Sequence, residues 1–425
     1  MGKAVALVYP THGHIAPALG VVEELVRRGE EVTFYATARA QKAVEETGAR
    51  FRAYGPDDQA FNPDPPTDGL FSDMARLLAL TESMLPDLIA QVAAEAPDYL
   101  LFDTKSVWGR LVSQVLDLPA VTLSVVFAIR PEVVPVPDLI GMLYRGAPPG
   151  ALLAGLQGLS AYADTARRLQ SRHGVVSPDI IGFLGNPQPL TIVFTSQALQ
   201  LQGDRFPEPE FAFVGTSIPQ SRLAAEAAMT FPFERVSDDP RTPLVYVSLG
   251  TTFNDAPAFY RACFEGLADL PCQVVLSTGG AALDLPAAPA NFIVSRFVPQ
   301  LRLLKRSAAF ITHGGMNSAN ESLTLGVPMI VVPQRGDQHL VAARVTELGA
   351  GVAVSPREVN ADRLRTAVDQ VLTTPSFTER ARGLADSLAK AGGAVRAADL
   401  ILSATRSGQS QQQQHDGMAT TCGGS

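Results

Sequence analysis

Phe310-Ile311-Thr312-His313-Gly314-Gly315-Met316-Asn317-Ser318-Ala319-Asn320-Glu321 is the stretch that decides how this chain is read. Phe310 to Thr312 end a short apolar run that fits a buried strand. Gly314 and Gly315 then form a turn, and the residues from Met316 onward fit a helix. Such a turn aims backbone N–H groups and the positive end of a helix at one point, a ready anion site. Gly314 and Gly315 let the backbone approach a diphosphate closely. His313, Asn317 and Ser318 add side-chain donors, and Glu321, about one turn later, can accept from a pair of vicinal hydroxyls. Upstream, Phe297-Val298-Pro299-Gln300 offers a ring able to stack on a base and a Gln within reach of a ribose. Downstream come Gly326-Val327-Pro328-Met329, Pro333-Gln334 and Gly336-Asp337-Gln338, where Asp337 and Gln338 suit sugar hydroxyls.

Outward from this turn, short apolar runs alternate with helical patterns along nearly the whole sequence, the signature of parallel α/β architecture. Val5–Tyr9, Val32–Ala36, Tyr99–Phe102, Ala120–Val125, Leu190–Thr195 and Phe211–Val214 read as strands of a first domain, residues 1–216. Helices fit Pro17 to Arg28, ended by Gly29, and Val107 to Leu116. Residues 217–242 hold Pro219, Pro232 and the polar run Glu234–Arg241, and read as a linker. A second domain, 243–405, has strands at Leu244–Ser248, Gln273–Leu276, Phe292–Val294, Ala309–Thr312, Met329–Val332 and Gly351–Val354. Helical patterns follow from about Ala361 to Ala404, the last able to pack back on the first domain. Residues 406–425, with Gln411–Gln414, read as a disordered tail.

Composition narrows the function. The 425 residues carry 34 Lys+Arg against 42 Asp+Glu, a net charge of −8. That balance argues against extended nucleic acid and anionic membranes as partners, because both select clustered Lys and Arg. Cys263, Cys272 and Cys422 are odd in number and form no close-spaced metal or redox pair, which argues against a disulfide framework and points to reduced thiols. The apolar run after Met1-Gly2-Lys3 stops at Tyr9-Pro10, too short for a secretory core. No uninterrupted apolar stretch suits a membrane span, so the expectation is a cytoplasmic protein. A Gly-x-Gly-x-x-Gly after the first strand is missing, which disfavours a nicotinamide enzyme. No Asp-x-Asp occurs, so that short paired-carboxylate metal signature is absent.

Residues 297–338 resemble the donor-binding signature of family 1 glycosyltransferases. Thr11-His12-Gly13-His14-Ile15-Ala16-Pro17 and Val247-Ser248-Leu249-Gly250-Thr251 look like the same family. The nearest likeness is to bacterial macrolide-type UDP-glycosyltransferases, over almost the whole chain to about Ala404. The resemblance implies the GT-B fold: two facing Rossmann-like domains with parallel sheets and a cleft between them. It also implies that His14, in the loop after the first strand, is a general base oriented by Asp103; His12 reads as structural or as supporting His14 from behind. An imidazole backed by a carboxylate can take the proton of an acceptor hydroxyl as the C–O bond forms. Donor contacts are then expected from Ser248, Thr251, Phe297, Val298, Gln300, His313, Gly315, Asn317, Ser318, Glu321, Asp337 and Gln338.

The same resemblance implies an inverting, metal-independent displacement with a UDP-sugar as co-substrate and no other cofactor. Glu321 favours a ribonucleotide, and Asp337-Gln338 fits glucose, so UDP-glucose is the expected donor. A TDP-deoxysugar donor and a non-catalytic nucleotide-sugar-binding role are the alternatives. The stretches 61–85 and 125–144 are expected to line the acceptor site, with Phe61, Met74, Met84, Phe127 and Met142 suited to a small lipophilic acceptor such as a macrolide or polyphenol. Phe297 stands where plant relatives have Trp, and Val341 where many members have Asn. Oligomeric state leaves no signal in the sequence.

Overall fold

The computed structural model describes residues 2–55, 61, 70–130, 132–133, 141, 150–251, 254–280 and 284–406, with backbone alone for 151–153. The chain divides into two compact units. The first comprises Met1–Phe194, Asp204–Pro219 and Gly392–Ser425, and the second Thr195–Gly203 and Gln220–Ala391.

The first unit is built on β1 (Lys3–Leu7), β2 (Glu31–Ala36), β3 (Arg50–Ala53), β4 (Tyr99–Asp103), β5 (Ala120–Ser124), β6 (Leu190–Val193) and β7 (Phe211–Phe213). These strands form one sheet in the order β3-β2-β1-β4-β5-β6-β7, every pairing parallel. Its helices are α1 (His12–Arg27), α2 (Gln41–Glu45), α3 (Leu70–Glu95), α4 (Val107–Leu116), α5 (Ala151–His173) and α6 (Ile180–Gly185). Both sheet faces are covered, which is why the strands read as continuous apolar runs. Ala4, Ala6 and Val8 face a core shared with α1, while Val5, Leu7 and Tyr9 face one shared with α3 and α4. The C-terminal helix, 393–406, belongs to this unit, with Ala397, Ala398 and Ile401 fully buried in the α1 core. Arg28 Nη1 donates to Asp399 Oδ1 at 2.5 Å and helps hold that helix against α1.

The second unit contains α7 (Gln220–Ala228), α8 (Pro257–Leu267), α9 (Gln300–Leu304), α10 (Met316–Thr324), α11 (Gln338–Glu347), α12 (Ala361–Thr373) and α13 (Pro375–Lys390). Its strands are β8 (Leu244–Ser248), β9 (Gln273–Ser277), β10 (Phe292–Ser295), β11 (Ser307–Thr312), β12 (Met329–Val331) and β13 (Gly351–Ala353). The sheet order is β10-β9-β8-β11-β12-β13, again all parallel.

The two-sheet parallel α/β expectation stands, and several elements differ in detail. The first helix begins at His12 rather than Pro17, so Pro17 lies inside it. β3 was not expected, because Arg50, Phe51, Arg52 and Ala53 form a polar edge strand without an apolar run. Residues 217–242 are not featureless, since they carry α7 and the single turn Phe233–Arg235. The helical patterns expected from about Ala361 to Ala404 are three helices, divided at Pro375 and at the Gly392-Gly393 pair. α3 is long and apolar enough, by length and composition, to cross a membrane. Its Phe71, Met74, Leu77, Leu78, Leu85, Leu88 and Val92 are buried in the core, which accounts for that composition. The tail 407–425 lies outside the described residues.

Candidate functional site

In an open parallel sheet, ligands sit beyond the carboxyl ends of the strands, at the point where the strand order reverses. In the first unit that point lies between β1 and β4, which are neighbours with Leu7 beside Phe102. His14 follows β1, and Asp103 is the last residue of β4. Thr11, in extended conformation, starts α1, and its carbonyl accepts from the N–H groups of His14 and Ile15 at 3.0 Å. His14 is therefore fixed in a helical turn, not carried on a loop as the sequence suggested.

His14 Nδ1 meets Asp103 Oδ2 at 2.5 Å. The same oxygen accepts from Tyr9 N at 3.2 Å, while Oδ1 accepts from Lys105 N at 3.0 Å and from Ser106 N and Oγ at 2.8 Å. Every contact to this fully buried carboxylate comes from a donor, so its position is over-determined. With Asp103 accepting, the ring proton sits on Nδ1 and Nε2 is the basic position. The His14 side chain keeps 12% exposure, enough for a substrate to reach it. Beside it lies a wall of rings. Tyr9 meets the imidazole edge-on at 5.5 Å between centroids, and Phe61, Tyr54 and Trp108 pack behind.

Sequence reasoning missed Asn186. Its Nδ2 donates to the carbonyls of Asp103 and Ser106 at 3.2 and 3.3 Å, tying down the turn that carries the carboxylate. Between 80 and 83 residues separate it from its partners in that turn, and its backbone is left-handed, φ 43°, before Pro187. Among the expected acceptor residues, Phe61 belongs to the ring wall near His14. Met74, at 1% exposure, is a core residue, and Met84 packs against the same core. Phe127 is buried, and Met142 lies outside the described residues.

In the second unit the reversal lies between β8 and β11, with Ser248 in register with Thr312. The expected turn follows Thr312. Gly314 has φ +81°, and Gly315 starts α10 without any side-chain cap. A helix start of this kind directs backbone N–H groups and the positive end of its dipole toward whatever lies before it, the geometry that suits an anion. The His313 ring is wedged between two glycines. A Cβ on Gly250 would come within 2.7 Å of it and one on Gly315 within 2.5 Å. Its Nδ1 is enclosed without a protein partner. Burial pushes its pKa down to about 4, against a backbone hydrogen bond at Ser248, so the ring is neutral near pH 7. Asn254, also missed in the sequence, bridges the carbonyls of Gly250 and Gly279 at 3.0 and 2.8 Å and holds the two loops together.

Phe297 is 54% exposed, as a stacking platform requires, with the tip of its ring against Gly280. Val298 is buried beside it, and Thr251 is exposed. Asn317 and Ser318 lie half-buried in the first turn of α10. Asp337 starts α11, and the Gln338 amide oxygen folds back to accept from the N–H groups of Gln334 and Arg335 at 2.7 and 3.1 Å.

Two expectations change here. The Gln300 side chain is not held ready for a ribose: its Nε2 donates to Glu321 Oε2 at 2.8 Å and its Oε1 accepts from Tyr246 at 3.0 Å. Glu321, 4% exposed, is not a vacant acceptor for two hydroxyls, because Arg222 Nη1 and Nη2 grip its two oxygens at 2.6 and 3.0 Å. Burial opposes the Arg222 charge, and the carboxylates of Glu321 and Glu226 outweigh it and raise the pKa. Arg222 escaped notice because it lies in the presumed linker.

Residues 261–394 match the family described as "Erythromycin biosynthesis protein CIII-like, C-terminal domain". The chain is 31% identical to the "Uncharacterized UDP-glucosyltransferase YojK" of Bacillus subtilis (strain 168), over 96% of this chain and 98% of that protein. It is 32% identical to the "Oleandomycin glycosyltransferase" of Streptomyces antibioticus, over 92% and 88%. Among solved structures, the glycosyltransferase of kitacinnamycin superposes with a TM-score of 0.76 at 30% identity, over 94% of this chain and 98% of that one.

Proposed function

The chain belongs to the family 1 glycosyltransferases of the GT-B fold, and from that premise we propose that it transfers a sugar, glucose from UDP-glucose, to a hydroxyl of a lipophilic natural product. The observation that carries this reading is the His14–Asp103 pair at the reversal point of the first sheet. Nε2 of His14 takes the proton of the acceptor hydroxyl while the oxygen attacks the anomeric carbon. The bond from that carbon to the diphosphate oxygen breaks, and the nucleoside diphosphate leaves with the electron pair. Attack opposite the leaving group inverts the centre, so an α-linked donor gives a β-glycoside. Asp103 holds the imidazole in the productive tautomer and stabilises its charged form.

The turn His313–Ser318 and the start of α10 receive the leaving diphosphate in place of a metal, and Phe297 stacks on the base. Glu321 receives the ribose, and Asp337 and Gln338 lie toward the sugar. The acceptor class rests on the names of two relatives, the oleandomycin glycosyltransferase and the glycosyltransferase of kitacinnamycin. We place the reaction in the cytoplasm, where the buried free thiols Cys263 and Cys272 stay reduced.

Incubation with UDP-glucose and a panel of macrolides and phenols, read by mass spectrometry, tests the reading. A hexose increment is expected, lost in His14→Ala while UDP binding persists. No product with any acceptor would sink it in favour of a non-catalytic binder.

A further inference from the structure

Glu321 is held in a way that restricts what it can read. A carboxylate offers about four lone-pair directions for hydrogen bonds. Three are taken: Oε1 by Arg222 Nη1, and Oε2 by Arg222 Nη2 and by Gln300 Nε2. None of these donors is loosely placed. Tyr246 donates to Gln300 Oε1, which fixes the amide with its Nε2 toward Glu321. Arg222 Nη2 also reaches Glu226 Oε1 at 3.4 Å, and Glu226 Oε2 accepts from Leu301 N at 3.0 Å in the first turn of α9. Swinging Arg222 away would leave two buried carboxylates without their counter-ion, a strongly unfavourable state.

We propose that Arg222 is a specificity-determining residue that limits Glu321 to one ribose hydroxyl and so makes the site tolerant of 2′-deoxyribonucleotides. The inference rests on the reading of Glu321 as the ribose contact. A nucleotide lacking the 2′-hydroxyl loses a donor for which the clamped carboxylate has no lone pair left. A site that leaves no buried polar group unpaired when a hydroxyl is missing discriminates weakly, whereas one that strands such a group discriminates strongly. Arg222 thus acts through Glu321 on donor choice, widening it from ribonucleotides toward 2′-deoxyribonucleotides.

Calorimetric titration of the full chain with UDP and with 2′-deoxy-UDP, which differ in that hydroxyl alone, tests this. The wild type is expected to bind the two within about threefold, and Arg222→Met to favour UDP by about tenfold or more, the worth of a hydrogen bond to a charged group. Gln300→Leu frees a lone pair while leaving the Arg222 ion pair intact, and is expected to raise the ratio as well, should the Arg222 variant fold poorly. Arg222→Lys, a single compact donor in place of a fork, should fall between. A wild-type ratio already near tenfold, or ratios unchanged in both Arg222→Met and Gln300→Leu, would overturn the proposal. Glu321→Ala reports separately on the premise. If it leaves UDP affinity untouched, Glu321 is no ribose contact, whatever the ratios in the other variants.

Discussion

Asp103 accepts from Tyr9, His14, Lys105 and Ser106 at once, so its replacement is felt through geometry as well as charge. Asp103→Asn puts an amide where only an acceptor fits and breaks the tautomer preference of His14. Transfer should fall by about 10²–10⁴, while UDP affinity stays at the wild-type value because the donor contacts are assigned to the other unit. Steady-state kinetics beside calorimetry separate the two. His313 makes a different prediction. Its pKa is about 4 in the folded chain against an ordinary 6.5, so between those values the unfolded chain binds a proton that the folded one refuses. Stability from this group is therefore full above pH 6.5 and is lost as pH falls toward 4, about 2 kcal/mol by pH 5. Urea midpoints at pH 7 and pH 5 should diverge less in His313→Gln than in the wild type, and equal divergence would refute the enclosed neutral ring.

At the scale of elements, the close seat of α4 on β4 fixes where Asp103 ends up. Gly109 of α4 makes that possible: a Cβ there would lie 2.5 Å from Phe102 Cβ, one residue before Asp103. Gly109→Ala should cost about 1–3 kcal/mol through overpacking and lower transfer as well, by pushing the end of β4. Gly383 of α13 has no neighbour within 4 Å of an added Cβ. Gly383→Ala should be neutral or stabilise by up to about 1 kcal/mol, which makes it the control in a thermal-melt comparison. The strand runs were legible within a residue or two, because buried parallel strands are apolar on both faces. β3 and the start of α1 were not. Arg50-Phe51-Arg52 has no run to detect, and His12-Gly13-His14 are poor helix formers that become helical only where the chain leaves β1.

At the scale of the molecule, the C-terminal helix belongs with the first unit although the chain enters it from the second. Ile401, Ala397 and Ala398 complete the core beside α1. Ile401→Ala should cost about 2–5 kcal/mol, and hydrogen exchange should register the loss in β1 and β2 while the strands of the second unit keep their protection. Faster exchange in β8 and β11 instead would contradict this partition.

The sequence alone determined the parallel α/β class, the two sheets, the glycine turn at 313–318 and, through family likeness, His14 and Asp103. These are local or patterned features: apolar periodicity, turn residues and short motifs are written in neighbouring positions. Only the tertiary structure decided which partners those residues keep. Asn186 under the Asp103 turn, Asn254 between two glycine loops and Arg222 on Glu321 come from distant or unpatterned segments, and no residue spacing encodes them. A hydrogen bond across 99 residues of sequence, as between Arg222 and Glu321, exists because folding brings the two groups together in a buried place where each charge must find its counterpart.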